Sequence, residues 1–552
     1  MTSRQKEIIL GIDLGTSNSV AAIYLDGKIR IIKDQNGKSI HPSIVSFHPN
    51  GKVLVGHAAK KRRLVDPKNT ISSIKRLIGL HYDTLKESGQ IKKTPFQITE
   101  GPDKQVLIKA RNHFLTPTQL SALILRHMKG LAEKSVGRKI SKAVITVPAN
   151  FNEAQRTATK AAGKLADLDV VRIINEPTAA ALAYGHGEDL QSHVLLYDFG
   201  GGTFDVTILN ISGEIFEVLS TAGNSRLGGD DIDERIMDDI MESFMRKHRY
   251  DIRHNEMAVL RLRLIAENIK CKLSKEEQNT TTMEELAYGP GGKPLDFTYE
   301  LNREQLGFLS ADLVERSFEI CDEAFALAEI EPEEIDDVVL VGGTTKIPLI
   351  KKEVARYFKK EPQSRINPDE VVSIGAAIQG AALVEPSQIM SGPLALLLDV
   401  TPLSLCIGTV GGFASPVIPR NSQLPTEQTR VFSTSADYQD SVSIRVCQGQ
   451  HHRFDDNTYI GELTLKNLRP ALRGEIKIEV SFELDTNGIL SVRARDPDTD
   501  KIQTSFMQIM GAPTERDLEE LMKDLPDLES NSKEEDGQHI ETRLPPAVKG
   551  NE

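Results

Sequence analysis

Two short glycine-containing segments of the same design constrain this chain more than any other feature. The first runs from Gly11 to Thr16 and the second from Asp198 to Asp205, each directly after an apolar stretch. In such hairpins glycine lets backbone N–H groups approach phosphate oxygens, threonine adds a hydroxyl donor, and aspartate can anchor hydrated Mg²⁺. A single copy would also fit an ordinary glycine-containing hairpin. Two copies about 190 residues apart predict a duplicated fold around one nucleotide.

Length and charge narrow the class of protein. With 552 residues the chain is too long for one core, so two to four domains are expected. The net charge of −12 argues against a general nucleic-acid-binding protein. We interpret the basic run Lys60–Arg63 as a solvated helix face. Without a signal-peptide pattern or an apolar stretch long enough to cross a bilayer, we expect a cytoplasmic protein with neither nucleic-acid nor membrane partners.

The four cysteines, Cys271, Cys321, Cys406 and Cys447, are far apart in the sequence. No two of them form a CxxC pair, and His451-His452 has no cysteine nearby. Metal-binding motifs and disulfide frameworks depend on closer or more numerous cysteines. The sequence therefore predicts reduced thiols, with neither zinc nor a disulfide framework.

The pattern of predicted secondary structure changes once along the chain, near the helix- and strand-breaking residues Ser391–Pro393. Before it, strand-like and helix-like stretches alternate; after it, short strands alternate with turns, including the hairpin signal Asp485–Gly488. After Gly511-Ala-Pro513, the segment Thr514–Leu525 predicts one short helix with Thr514 as its cap, and a polar, disordered tail follows. The predicted units are an α/β nucleotide-binding domain, a linker, an all-β domain and a short helix with its tail, at residues 1–390, 391–399, 400–511 and 512–552.

Two more glycine pairs could bring backbone against a nucleotide, although each also fits a tight strand-to-helix turn. They are Gly228-Gly229 and Gly342-Gly343, the second directly after an apolar strand. A P-loop is excluded for the main phosphate site, because no GxxxxGK[ST] motif occurs and the paired glycine turns lead into strands.

Four acidic residues are placed to meet at one site: Asp13, Glu176, Asp198 and Asp205. Glu176 lies where a strand gives way to a helix, the edge at which ligands bind in open α/β sheets, although a capping role is the alternative. Converging around phosphates, these carboxylates would repel one another unless a cation lay between them. We therefore infer Mg²⁺.

Taken together, these motifs resemble the seventy-kilodalton heat-shock chaperone (DnaK) family. The resemblance covers about residues 8–511. It implies an α/β actin-like ATPase domain, duplicated and two-lobed, followed by an all-β sandwich that binds peptide. The segments that carry the resemblance occur in the family's order: Gly11–Thr16, Ile173–Ala181, Asp198–Asp205, Leu227–Asp230 and Leu340–Thr344.

The resemblance also implies roles around ATP or ADP, Mg²⁺ and, as a further candidate, K⁺. Lys75 would position the attacking water, with Asp205 assisting, and Thr16 and Thr203 would contact the terminal phosphate. Mg²⁺ and its water shell would be held by Asp13, Glu176 and Asp198. Cys271 stands where some members place an arginine over the adenine, so the tightness of binding stays open. The other expected nucleotide contacts are Gly15, Gly200, Gly201, Gly202, Gly228, Gly229, Glu267, Lys270, Ser274, Gly342, Gly343 and Asp369.

Communication residues follow from the same resemblance. Pro148 and Arg156 match the relay from the nucleotide to the domain interface, although a helix-start proline and a surface arginine are the plain alternative. A J-domain co-chaperone and a GrpE-like exchange factor are the implied partners. The positions that match the J-domain site and the linker are Arg172, Asn175, Leu396, Leu397 and Asp399.

The β domain would bind unfolded or extended polypeptides in an apolar cleft, although core packing explains the same residues. Its matching positions are Ile407, Val410, Phe432, Val442, Ile444 and Ile478. The pair that arches over the peptide is Val410 and Ser435, where relatives have methionine and alanine, so a looser bridge is expected. Only about forty residues follow Gly511, so we expect this chain to lack the family's long helical lid, either naturally or by truncation.

The function expected from the resemblance is that of an ATP-dependent chaperone, in which slow ATP hydrolysis changes the affinity for apolar peptides. The alternative is a nucleotide-binding holdase or exchange-factor-like relative with little ATPase cycling. Intact Lys75, Thr203 and linker leucines favour the first. A small-molecule kinase of the same superfamily is disfavoured, because the β domain would have no use in it.

Overall fold

Two sheets with the same arrangement of strands carry the two glycine hairpins. The computed structural model describes residues 7–188, 190–363, 366–384, 396–498, 501–505 and 515–528. The first part of the chain contains β1 (Ile9–Leu14), β2 (Asn18–Leu25), β3 (Lys28–Ile31), β4 (His41–Pro42), β5 (Val45–Phe47), β6 (Val53–Val55), α1 (His57–Lys60), β7 (Thr70–Ile71), α2 (Tyr82–Glu87), α3 (Gln90–Lys93), β8 (Gln97–Glu100), β9 (Val106–Ala110), β10 (His113–Leu115), α4 (Pro117–Val136), β11 (Lys142–Val147), α5 (Glu153–Leu165) and β12 (Asp169–Asn175).

The first lobe is built on the sheet β12-β11-β1-β2-β3, in which β1 runs parallel to β11 and antiparallel to β2. Leu10, Ile12 and Ile23 are fully buried in its core. Helix α4 covers this core and begins with a reciprocal cap, in which the Thr116 hydroxyl accepts from the Gln119 N–H and the Gln119 side chain accepts from the Thr116 N–H.

The second lobe repeats this pattern. Its sheet has the order β18-β13-β14-β15-β19, with β13 parallel to β18 and antiparallel to β14. Since both hairpins start from a central strand, both turns lie at the same kind of sheet edge. The middle of the chain contains α6 (Glu176–Gly185), β13 (Gln191–Phe199), β14 (Phe204–Ser212), β15 (Ile215–Asn224), α7 (Gly229–His248), α8 (Glu256–Leu273), β16 (Gln278–Tyr288), β17 (Pro294–Asn302), α9 (Arg303–Ala328), β18 (Asp337–Val341), α10 (Pro348–Phe358) and α11 (Val371–Val384).

From residue 405 to 505 the described chain is built on strands, which form two further four-stranded sheets. One has the order β21-β20-β23-β24 and the other β22-β25-β26-β27. Alternate residues of β25 point into their shared core, where Val480 and Phe482 are fully buried. The last elements are β19 (Leu396–Leu398), β20 (Leu405–Thr409), β21 (Phe413–Ile418), β22 (Thr426–Ser433), β23 (Ser441–Gln448), β24 (Thr458–Lys466), β25 (Lys477–Leu484), β26 (Leu490–Asp496), β27 (Lys501–Ser505) and α12 (Glu515–Lys523).

Part of the predicted linker is an edge strand of the second lobe. Leu396–Leu398 form β19, which pairs in parallel with β15. The sandwich that follows is held against the same lobe, since Asn421 Nδ2 donates to the Leu219 carbonyl at 2.8 Å and Gln423 Nε2 to Glu217 Oε1 at 3.0 Å. The remainder of the linker before Leu396 lies outside the described residues.

The short helix predicted near the C-terminus is confirmed as α12. It packs on the first lobe, where Leu518 and Leu525 join the hydrophobic core. Gln119 of α4 fixes it further, since its Nε2 donates to the Leu521 carbonyl at 3.0 Å. Thr514, expected to cap this helix, and the tail from residue 529 lie outside the described residues.

Strand pairing brings together two cysteines that the sequence separates. Cys406 of β20 lies opposite Cys447 of β23. Both are buried and reduced, as is Cys321 in the second lobe, while Cys271 is exposed. Within the described ranges, no helix combines the length and apolar character needed to cross a membrane.

Candidate functional site

The turns of the two hairpins meet at the base of a cleft between the lobes. A Cβ built on Gly201 would lie 2.3 Å from Ser17 Oγ, and one on Gly202 would lie 2.9 Å from a methyl carbon of Thr16. The turns therefore approach so closely that a side chain on the second one would have to displace Ser17, Thr16 or Arg76. Above them opens a cavity of about 330 Å³.

Most of the sequence-predicted nucleotide residues line this cavity. It brings together Asp13, Gly15, Thr16, Lys75, Glu176, Asp198, Gly200, Gly201, Thr203, Glu267, Lys270, Ser274, Gly342, Gly343 and Asp369. Gly202, Gly228, Gly229 and Asp205 lie behind this surface. Gly228 packs so tightly on the second turn that an added Cβ would lie 2.6 Å from the Gly202 nitrogen.

Carbonyl oxygens of the second turn are bonded to protein donors. Gly200 accepts from the Gly229 N–H at 3.0 Å and from Thr344 Oγ1 at 2.8 Å. Gly201 accepts from the Asp230 N–H at 2.8 Å. The Gly200 N–H donates to the Thr203 carbonyl at 3.0 Å. What this turn can offer a ligand is therefore the N–H groups of Gly201 and Gly202, which suit an anion such as phosphate.

The predicted acids do converge. Burial, and then the charge of Glu176, raise the pKa of Asp13 to about 7 and that of Asp205 to about 8. The same two causes raise the pKa of Asp198 well above its usual value. Asp205 Oδ1 is buried and has no hydrogen-bond partner within the described part of the chain. Carboxylates held this close repel one another, and a cation between them would offset that repulsion. Their all-oxygen donor set fits Mg²⁺.

Lys75 is the cation nearest to these acids. It lies in the short turn 74–76 of the first lobe, is buried, and forms an ion pair with Glu176. Glu176 is the first residue of α6, as the sequence predicted, with Pro177 next to it. A buried lysine in this place can compensate negative charge that develops on a phosphate.

The opposite wall of the cleft contains the residues expected around adenosine, and here one interpretation was wrong. Lys60 and Arg63 are not a solvated face, because both reach Glu267 of α8, at 3.0 and 2.9 Å. They join the two lobes across the cleft. Lys270 in the same helix donates to the Gly229 carbonyl at 2.7 Å and to Asp233 at 2.8 Å.

Sequence reasoning missed several residues that shape the cleft. Lys346 forms an ion pair with Asp369, and Arg76 donates to the Gly202 carbonyl at 2.9 Å. Ser43 Oγ donates to the Gly15 carbonyl at 2.8 Å. None of these side chains belongs to a glycine motif, and their partners are distant in sequence, so the sequence contained no local signal for them.

A buried network leads from the cleft to the sandwich. Arg156 Nη2 donates to Asn175 Oδ1 at 2.7 Å and to the Ala149 carbonyl at 3.0 Å. Asn175 Nδ2 in turn donates to Asp399 Oδ2 at 2.9 Å, and Thr178 Oγ1 donates to the same oxygen at 3.0 Å. Arg156 is buried, which overturns its reading as a surface arginine.

Neighbouring residues complete this interface. Pro148 follows β11, and its carbonyl accepts from the Phe151 N–H at 3.2 Å. Arg172 lies one residue before Ile173, whose N–H donates to Asn487 Oδ1 of the sandwich at 3.2 Å. Burial lowers the pKa of Arg172, while the nearby Asp399 acts in the opposite direction.

A family model described as Hsp70 protein matches residues 9–544 of the 552-residue chain. The match covers nearly the whole sequence, including both lobes and the sandwich. The chain belongs to the Hsp70 family. Hsp70 proteins are in general ATP-dependent chaperones that bind nucleotide with Mg²⁺, unfolded polypeptides and co-chaperones. The cleft between the hairpins has the donors and acids that such a nucleotide requires.

For the Hsp70 peptide cleft, the structure places the predicted residues in two environments. Ile407, Ile444 and Ile478 are buried in the sandwich core, with Phe432 and Val442 packed against it. Val410 is 82% exposed, and Ser435 is exposed as well. Core packing explains the three isoleucines in this conformation, so their part in peptide binding stays a prediction.

Proposed function

We propose that this chain is an ATP-dependent chaperone in which nucleotide hydrolysis between the hairpins controls peptide affinity in the sandwich. One observation carries the proposal. Glu176, which faces the nucleotide cavity, is adjacent in the chain to Asn175, which binds Asp399, the last residue of the predicted linker before the sandwich. A change at the phosphate site that moves Glu176 therefore moves the residue that holds the other domain.

In the proposed reaction a water oxygen bonds to the γ-phosphorus of ATP, and the bond to the β–γ bridging oxygen breaks. ADP and phosphate leave, and the proton from water passes to phosphate or solvent. Lys75 positions the water and compensates the charge that develops, and Asp205 supports that arrangement. Thr16 and Thr203 donate to the terminal phosphate. Bound Mg²⁺, its shell held by Asp13, Glu176 and Asp198, would neutralise phosphate charge.

Coupling to peptide follows from the docked arrangement. In it β19 pairs with β15, and the Arg156–Asn175–Asp399 network is intact. We assign this arrangement to the ATP-bound state, with release of β19 after hydrolysis. Such a two-state element, biased by a ligand at one site, can change affinity at another. The partners are extended apolar polypeptides, a J-domain protein that contacts Arg172, and a GrpE-like exchange factor, all in the cytoplasm.

Single-turnover ATP hydrolysis tests the enzymatic part. Lys75→Ala should lower the rate by about 10²–10³-fold, because it removes the cation beside the reacting phosphate. Binding of a fluorescent nucleotide should persist in this variant. Lys61→Ala, an exposed lysine on the same lobe, is the matched control and should hydrolyse ATP normally.

The outcome also separates the alternative function. If wild type and Lys75→Ala hydrolyse ATP at the same background rate while both bind nucleotide, the chain is a holdase or exchange-factor-like relative. Stimulation of the wild-type rate by a J-domain, lost in Arg172→Ala, would support the partner assigned above.

A further inference from the structure

A cluster of histidines lies behind the wall of the nucleotide cleft. Ligand atoms of Asp34, His41 and His57 all lie within 4.8 Å of one another. Three separate segments supply them: the loop after β3, the short strand β4, and the first residue of α1. Ile40 and Pro42, on either side of His41, line the nucleotide cavity. The cluster therefore adjoins the cleft without belonging to it.

Hydrogen bonding leaves the right atoms available. The His57 Nε2–H can donate to the Ile40 carbonyl, 3.0 Å away, which leaves Nδ1 with its lone pair. Asp34 Oδ1 accepts from the N–H groups of Asn36 and Lys38, at 2.8 and 2.9 Å. Bonds of this kind, to a carbonyl behind the ring and to one carboxylate oxygen, orient ligands in metal sites.

His41 supplies the second observation. It is only 2% exposed, yet its Nε2 has no hydrogen-bond partner within the described part of the chain. A buried polar atom without a partner calls for a water molecule or an ion.

We propose that Asp34, His41 and His57 bind a divalent transition-metal ion of the Zn²⁺ type. Two imidazoles and one carboxylate form a mixed nitrogen and oxygen donor set that suits such ions better than Mg²⁺. A tetrahedral zinc site with bonds of about 2.0–2.1 Å separates its ligand atoms by about 3.4 Å. Each pair must therefore close by at most about 1.4 Å, and Asp34 lies in a loop whose residues 35–38 are exposed.

His127 of α4 supports the cluster from the inner side. Its ring packs edge-on against His41, with centroids 5.7 Å apart. It does not belong to the set of ligand atoms within 4.8 Å, so a water completes the fourth position in this proposal. The sequence predicted no zinc because it has no cysteine motif. The proposed site contains no cysteine ligand, so that pattern could not have indicated it.

Equilibrium dialysis of the full chain against micromolar Zn²⁺ tests the proposal. Millimolar Mg²⁺ and ADP are kept present to occupy the acidic nucleotide site. We expect about one zinc per chain, counted by mass spectrometry, and affinity at least about tenfold weaker in His41→Asn and His57→Asn. His48→Asn, which changes a half-buried histidine outside the cluster, should bind zinc as the wild type does.

Asp34→Asn is the variant least expected to disturb folding, because asparagine keeps the side-chain oxygen that accepts from the Asn36 and Lys38 N–H groups. This variant should bind ADP normally and still lose zinc affinity. Co²⁺ bound to the wild type should show a visible absorption band that His41→Asn abolishes. No saturable zinc uptake by the wild type, or uptake by all three ligand variants equal to that of the wild type, would overturn the site and leave a buried water in its place.

Discussion

The two glycine hairpins have similar sequences and are held in different ways. The side-chain support described for the first turn comes from its own lobe, where Ser43 Oγ donates to the Gly15 carbonyl. The second turn is contacted by Arg76, Gly229, Asp230 and Thr344, which belong to separate segments and to both lobes. The same sequence motif can therefore form a turn that is supported locally, or a turn at which segments of both lobes meet.

The largest effect is expected where the second hairpin meets the turn after β18. Gly342 has φ +84°, and an added Cβ would lie 2.5 Å from the Phe199 carbonyl oxygen. Gly342→Ala should therefore cost about 1–3 kcal/mol of stability and weaken nucleotide binding by about tenfold or more. Gly343→Ala is the matched control, because its nearest neighbour would be Asp369 Oδ1 at 3.4 Å. Urea unfolding and nucleotide titration of both variants measure this, and equal losses would contradict it.

A second test compares the acids of the two hairpins through pH. Burial raises the pKa of Asp205 to about 8 and that of Asp13 to about 7, from 3.8 in the unfolded chain. The native state therefore holds protons that the unfolded state has lost, and stability without nucleotide falls as pH rises from about 4. Each such group contributes up to about 1.4 kcal/mol per pH unit.

Both acids should show this loss below pH 7. Asp205→Asn and Asp13→Asn should each make the fall in stability between about pH 5 and pH 7 shallower than in the wild type, because each removes a group that holds a proton in the native state. Urea unfolding without Mg²⁺ or nucleotide measures the slopes. A wild-type stability that rises over this interval, or a wild-type slope in both variants, would contradict the assignment.

The smallest expected effect concerns the single hydroxyl groups that support each turn. Ser43→Ala removes the part-buried hydrogen bond to the Gly15 carbonyl, together with a bond to the Ser19 hydroxyl. It should weaken nucleotide binding by about fivefold, or roughly 1 kcal/mol. Thr344→Ala should cost less than half of that energy, because Arg76, Gly229 and Asp230 still hold the second turn. Nucleotide titration compares the two, and the reverse order would show that the second turn depends on one support.

Local motifs made the cleft predictable from sequence. The strand, acid and glycine patterns around Asp13, Asp198 and Glu176 depend on neighbouring residues, and all three line the cavity. Contacts between distant residues could not be predicted in this way. Glu267 is 204 residues from Arg63, and no periodicity signals their ion pair.

The sandwich shows a different limit. Alternating apolar residues predict strands, and the strands are present, but the same alternation is expected of a core and of a peptide groove. The sequence therefore allowed two interpretations, a core or a peptide groove, for Ile407, Ile444 and Ile478. In the docked conformation they are core residues. Only a measurement on both nucleotide states can separate the interpretations.

Peptide affinity in ATP and in ADP tests the central claim most directly. Fluorescence anisotropy with a labelled apolar peptide should show weaker binding in ATP, by less than about tenfold, or about 1.4 kcal/mol. Asp399→Asn should remove this difference while ATP hydrolysis continues, because the bond to Asn175 is weakened. Equal affinity in both nucleotides for the wild type, or an unchanged difference in Asp399→Asn, would contradict the account.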